Sequence, residues 1–333
     1  MAVTIKDVAK LAGVSISTVS RVINDSKPVS PEIKRKVLEV IDEIGYRPNE
    51  IARTLVTKKS YLIGVIVTDL ANSYVADMVR GIEEVGKMYN YDILLCSTYG
   101  DKEAELKYIQ LLNRKQVEGM ILISDTINEE IDDKISDYDI PFVYLSRYSN
   151  FDKYPTVSVD NHYASYEMTK YIINKGHTDI GFIGYLKDEK STQIEKVEGF
   201  IKAMEEEELD SSVIYETEGI EVKNGYEVVD RLLKDNQITA LVCSNDELAI
   251  GVMNYCYDKG IRVPEDISIV GFGDVPTASV IRPRLTTIKE PFYDIGAVAI
   301  RKIIKELNKE DAGEKHVKLP YQIQDRDSCK KNN

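Results

Sequence analysis

From residue 61 onward, short apolar runs of strand length alternate with helix-competent stretches, and near residue 179 the alternation starts again. Residues 61–68, 91–97, 119–123, 141–145 and 157–159 read as strands, with helices over 73–89 and 102–115. Residues 179–184 then echo 62–67. Helices over 194–206, 224–235 and 247–259 follow, interleaved with strands over 213–215, 240–244 and 268–272. Such alternation means βαβ units, whose strands are covered by helices on both faces and are therefore apolar throughout. The expected body is α/β: two lobes, each a doubly wound parallel sheet, around a cleft. Ligands of such sheets sit at the carboxyl ends of the strands, and the lobes close by hinging.

The first sixty residues follow a different rule. Thr4 precedes Ile5, Val8, Ala9, Leu11 and Ala12, which are apolar at helical spacing, and Gly13 closes the segment. Thr4 suits a helix N-cap with Asp7 three residues on, and glycine tolerates the left-handed backbone of a sharp turn. Ser15 opens a second helix with Val19, Val22 and Ile23 inward and Ile16, Ser17, Ser20 and Arg21 outward. Two short helices joined at a glycine turn make a helix-turn-helix, whose second helix enters the major groove by its N-terminal part. There Ile16 suits a thymine methyl, Ser17 either base type, and Arg21 a guanine edge. Ser15, Thr18, Ser20 and Asn24 suit phosphate oxygens. A third helix is expected over 30–44, with Pro31 in its first turn and Gly45 at its end. The stretch 50–55 is too short to be a stable helix alone.

Charge separates the same two parts. The chain of 333 residues carries a net −13, yet residues 1–60 hold 11 Lys/Arg against 7 Asp/Glu, a net +4, leaving −17 on the rest. A basic head on an acidic body fits a nucleic-acid module joined to a different domain. No apolar stretch approaches the ~18–20 residues that span a bilayer, and the N-terminal sequence reads as no secretory signal. Four cysteines and three histidines are scattered without metal-ligand spacing. No nucleophile elbow, P-loop, GxGxxG or HExxH occurs in the body. The expectation is a cytoplasmic protein, not an enzyme, with no metal, no cofactor and no membrane contact.

The segments TIKDVAKLAGVSISTVSRVIN and IGYRPNEIARTL closely resemble the head of the LacI/GalR family of bacterial repressors, and the resemblance continues through the whole chain. It implies a helix-turn-helix DNA-binding domain over 1–48, a hinge helix and linker over 49–60, and a two-lobed, periplasmic-binding-protein-like core over 61–333. The first lobe takes about 61–160 and 277–308, the second about 161–276 and 309–330. The resemblance implies a homodimer on palindromic double-stranded operator DNA; residues 326–333 carry no heptads that would build a larger assembly. By the same resemblance Thr4, Tyr46, Asn49 and Ala52 join the DNA-binding set. Leu55 matches the family's leucine lever, an apolar wedge in the minor groove.

Family members hold small ligands in the cleft, at positions matching Asp69, Ser73, Asp160, Asn161, Asn245 and Asp246, several of which also read as helix caps. Lys196 stands where sugar- and purine-responsive members usually carry arginine, a point charge in place of a planar fork. Gly271-Phe272-Gly273-Asp274 departs from the usual Gly-Phe-Asp, leaving Asp274 one residue late. A free sugar is poorly served by this set; a sugar phosphate stays open. Residues 80–84, 88–91, 115–119 and 293–301 resemble family members of carbon catabolite control, whose corepressor is HPr phosphorylated on serine. Residues matching its binding face are Tyr89, Tyr293, Asp294, Arg301 and Lys305. Asp294, Arg301 and Lys305 share one face of a single expected helix, and a phosphoserine, with a charge of about −1.5 to −2, suits an Arg/Lys face. The alternative is a local repressor released by a small sugar.

Overall fold

The computed structural model describes residues 3–24, 27–47, 59–124, 129–145, 154–186 and 191–332. The chain divides into two compact units, Met1–Ser60 and Tyr61–Asn333.

In the first unit α1 (Ile5–Ala12), α2 (Ile16–Asn24) and α3 (Pro31–Ile44) enclose Val8, Ala9, Ala12, Val19, Val22, Val37 and Val40. Local chemistry sets each helix end. The Thr4 N–H and hydroxyl donate to the Asp7 carboxylate at 2.9 and 2.7 Å, and these bonds hold the Asp7 carboxyl below its usual pKa. Gly13 takes a φ of 64°, and the Val14 N–H reaches back to the Ala9 carbonyl at 3.0 Å, which ends α1 and makes the turn. The Ser30 hydroxyl accepts from the Ile33 N–H at 3.4 Å at the start of α3.

In the second unit a first lobe is built from β1 (Leu62–Val67), α4 (Ser73–Met88), β2 (Asp92–Ser97), α5 (Lys102–Arg114), β3 (Gly119–Ile123), α6 (Glu129–Ser136), β4 (Phe142–Leu145) and β5 (Thr156–Ser158). A second lobe follows: α7 (Asn161–Asn174), β6 (Ile180–Gly184), α8 (Thr192–Glu206), β7 (Ile214–Glu216), α9 (Val222–Asp235), β8 (Ala240–Cys243), α10 (Asp246–Lys259), β9 (Ser268–Gly273), α11 (Pro276–Val280) and β10 (Thr286–Lys289). The chain then returns with α12 (Phe292–Leu307) and β11 (His316–Lys318) to the first lobe, and with β12 (Gln322–Gln324) to the second. The described strands run β11-β5-β4-β3-β1-β2 and β12-β10-β9-β8-β6-β7. The two orders correspond strand for strand, so the internal repeat is a repeat of topology; β12 alone pairs antiparallel.

The late crossings differ from the sequence reading, which placed them near 277 and 309. β10 pairs with β9 in the second lobe, and β11 with β5 in the first. The crossings therefore fall between Lys289 and Phe292 and between Lys318 and Gln322.

Three helix pairs on the sheet faces, α4–α12, α7–α8 and α9–α10, close on glycine. A Cβ on Gly81 of α4 would stand 2.1 Å from the Tyr293 carbonyl oxygen, and one on Gly296 of α12 2.0 Å from the Met78 carbonyl oxygen. Gly199 of α8 meets α7, and Gly225 and Gly251 join α9 to α10, at similar distances. Backbones this close leave no room for a side chain and fix the helices rigidly on each other.

Candidate functional site

On the head, Ile16 is 45% exposed, and Ser17 and Arg21 are exposed one turn apart on α2. Thr18 and Ser20 are half-buried. The Ser15 hydroxyl accepts from the Thr18 N–H at 3.1 Å and lies 2.8 Å from the Ser17 and Thr18 hydroxyls. Ser15 thus organises the first turn of the reading helix. Thr4 is exposed with its hydroxyl on Asp7, and Tyr46 packs against the head's core. Asn24 ends α2. Asn49, Ala52 and Leu55 lie outside the described residues.

In the body, a cavity of about 60 Å³ opens at the carboxyl ends of the strands. Its wall includes Tyr74, Asn161, Gln193, Lys196, Asn245, Glu247, Phe272, Glu290 and Phe292. The volume is room for a few waters, far below the roughly 300 Å³ at which small-molecule pockets begin. Of the eight expected cleft residues, Asn161, Lys196 and Asn245 line it; Asp69, Ser73, Asp160, Asp246 and Asp274 do not. Each has a local reason. Asp69 accepts from the Ala71 N–H at 2.9 Å in the turn before α4, and Ser73 is the first residue of that helix. Asp160 caps α7, accepting from the Tyr163 N–H at 3.0 Å and from the Lys318 ammonium at 2.6 Å. Asp274 sits at a φ of 58° and accepts from the Arg326 guanidinium at 2.5 Å. The extra glycine ahead of it turns it from the cavity toward the C-terminal strand.

Asp246, which the resemblance places among the cleft's ligand positions, lies behind the cavity wall instead. Asp246 is fully buried, accepting from the Thr287 hydroxyl at 2.5 Å and the Val275 N–H at 2.8 Å. Burial pushes its pKa up from 3.8 to about 7, against the pull of those two bonds. The folded state therefore binds this proton more tightly than the unfolded chain. The resulting stability is complete below pH 3.8 and is lost as pH rises toward 7. Asp246→Asn should flatten that dependence. Relative to the variant, urea unfolding of the native chain should lose on the order of 3 kcal/mol between about pH 4 and pH 7. A difference independent of pH would refute it.

On the outer face of the first lobe, the Tyr293 hydroxyl donates to Glu84 at 2.7 Å, and Arg80 stands 5.5 Å from the Tyr293 ring centroid. The bond to Glu84 raises the Tyr293 pKa. Asp294, Arg301 and Lys305 are exposed along α12. Tyr89 and Met88 are 47% and 75% exposed at the end of α4. Gly86, one turn before Tyr89, faces Ile300 beside Arg301. Lys302 points the other way, buried and bonded to the carbonyls of Ala312 and Glu314. Tyr89, Tyr293 and Arg301 are thus carried by two packed helices, and Arg80, Glu84 and Met88 join them.

A family model of bacterial regulatory proteins, lacI family, matches residues 4–49. Another, of periplasmic binding proteins and the sugar binding domain of the LacI family, matches 60–328. The chain belongs to the LacI family. It is a DNA-binding transcription regulator rather than an enzyme, as are its curated relatives. The HTH-type transcriptional regulator RegA of Clostridium saccharobutylicum is 40% identical over 331 residues, spanning 98% of this chain and 99% of that protein. Catabolite control protein A of Priestia megaterium is 37% identical over 332 residues, 99% and 100% of the two chains. Among solved structures, the transcription regulator CcpA of Lactococcus lactis matches at TM-score 0.76 and 31% identity, covering 81% of this chain and 99% of that one. The lac repressor dimer bound to operator and the anti-inducer ONPF matches at TM-score 0.89 and 25% identity, covering 98% and 99%. No helix of the described residues is long and apolar enough to cross a membrane.

Proposed function

We propose that this regulator serves carbon catabolite control in the cytoplasm, binding a palindromic operator as a homodimer with serine-phosphorylated HPr as corepressor on the α4–α12 face. The observation that carries this reading is the exposed row Asp294, Arg301 and Lys305 beside Tyr89, on a lobe whose cleft keeps only about 60 Å³. A phosphoserine is matched by a planar guanidinium with a lysine one turn away. Helices locked by Gly81 and Gly296 give such a partner a rigid platform.

A second copy of the chain has apolar surface to meet on both lobes. One groove of about 610 Å³ is lined by Ile250, Met253, Ile261, Val263 and Ile281, with Tyr257 85% exposed at its rim. Another, of about 410 Å³, runs along β2, the edge strand of the first sheet, between Val79, Ile93 and Leu95. Edge strands and exposed apolar patches of this kind are usually covered. By the family resemblance, dimerisation brings the two 49–56 segments together on DNA, with Leu55 at the operator centre.

Arg301→Ala should leave basal operator affinity unchanged and cut the stimulation by serine-phosphorylated HPr about 10- to 100-fold, the worth of a charge-assisted contact of ~1.5–3 kcal/mol. Unchanged stimulation in an anisotropy titration would sink the reading. Asn161 and Asn245 on the cavity wall support the alternative, a local sugar-released repressor. That reading requires a small sugar to change operator affinity with no protein partner.

A further inference from the structure

The second-lobe wall of the cleft is already filled by the chain itself. Lys196 on α8 is 5% exposed. Its ammonium donates to the Ser244 carbonyl at 3.0 Å and stands 3.8 Å from the centroid of the Phe272 ring. Glu247, in the first turn of α10, lies on the same wall; burial raises its carboxyl above the ordinary range, and the Lys196 charge offsets part of that rise. Ser244 follows β8 and Phe272 lies in β9, so both sit toward the strand ends where open parallel sheets take their ligands.

Burying an ammonium is costly unless hydrogen bonds and charge compensate it. Here a carbonyl and an aromatic face do so, with the Glu247 carboxyl on the same wall. That is the set of acceptors by which a protein recognises an alkylammonium group. Glu290, on the same wall, adds a second carboxylate. The wall suits a cation, and the cation is tethered.

We propose that the cleft contains an alkylammonium site whose resident ligand is Lys196, a built-in occupant that holds this wall in its filled arrangement without an external effector and leaves the cleft silent to neutral sugars. The proposal is independent of the corepressor reading, because its contacts all lie within the second lobe and the cleft. Loss of the HPr response with amine rescue intact would remove only the latter.

Chemical rescue tests it on the full chain. Lys196→Ala should lower Tm by about 5 °C. n-Butylammonium chloride should restore about half of that saturably, measured against sodium chloride at equal ionic strength, while n-butanol should not. Lys196→Met, which keeps the stem and removes the charge, should be destabilised too and should gain nothing from the amine, since the space stays filled. The native chain should respond neither to butylammonium nor to methyl glucoside. If Lys196→Ala folds poorly, the same amine-versus-alcohol comparison is made on the yield recovered by dilution from urea. Equal effects of amine and alcohol, a Lys196→Met variant as stable as the native chain, or a saturable shift of the native chain by methyl glucoside would each overturn the proposal.

Discussion

Gly81→Ala is expected to destabilise the body by about 2 kcal/mol and to abolish the response to serine-phosphorylated HPr, while Gly86→Ala, on the same helix, stays near neutral. Both substitutions gain helix propensity of about 1 kcal/mol. What separates them is the atom that the new methyl group meets. At Gly81 it would stand 2.1 Å from the Tyr293 carbonyl oxygen and 3.0 Å from the Ala297 nitrogen, both backbone. At Gly86 it would meet the tip of the Ile93 side chain at 3.2 Å, which rotates or yields. A backbone clash in a packed core is relieved only by parting the helices, and overpacking of that kind costs ~1–3 kcal/mol or more. Parting α4 from α12 also breaks the Tyr293–Glu84 hydrogen bond and displaces the turn carrying Asp294. Urea unfolding of the two variants, followed by corepressor titration at fixed operator, checks both halves. Equal destabilisation by the two alanines would show that close approach at Gly81 is not what fixes this face.

The same contacts explain what the sequence could and could not reveal. Parallel strands buried on both faces write themselves as apolar runs, so β1, β3, β6, β8 and β9 were legible. The head was legible because Thr4, Gly13, Ser30 and Gly45 are local signals read within a few residues. α7 went unseen because its buried side includes Asn161, Ser165 and Thr169 beside Ala164, Met168 and Ile172, which makes no clean apolar stripe. Thr169 satisfies its hydroxyl on the Ser165 carbonyl at 2.8 Å, and Gly199 lets α8 press close. β11 and β12 are edge strands of three residues, each with one apolar residue between two polar ones, so their membership rests on pairing across the fold. The cleft was the hardest to read. The departures at Lys196 and Gly273 were visible, but their meaning lay in partners 48 and 52 residues away, the Ser244 carbonyl for Lys196 and Arg326 for the displaced Asp274.

Arg21→Ala is expected to weaken operator binding about 10- to 100-fold and, at one base pair of each half-site, to erase the preference for the native base. Ser15→Ala is expected to weaken binding to every sequence by about 5-fold at most. The two residues sit on one short helix, and the difference follows from what each already holds. Arg21 is exposed one turn beyond Ser17, a long fork of the kind that takes a guanine edge bidentately for ~1–3 kcal/mol of discrimination. Ser15 has its hydroxyl turned inward to the Thr18 N–H and the neighbouring hydroxyls. Removing it costs about 1 kcal/mol of helix start. The loss spreads over the first turn, where Ile16 and Ser17 must be aimed together. An orienting residue changes affinity and leaves the ranking of sequences intact; a reading residue changes the ranking. Anisotropy titrations at one fixed salt concentration, with the operator and single-base substitutions in both half-sites, separate the two, because the phosphate contribution is then constant. A uniform loss for Arg21→Ala would move that side chain from the bases to the phosphates, and would leave Ile16 and Ser17 as the exposed α2 positions able to carry sequence choice.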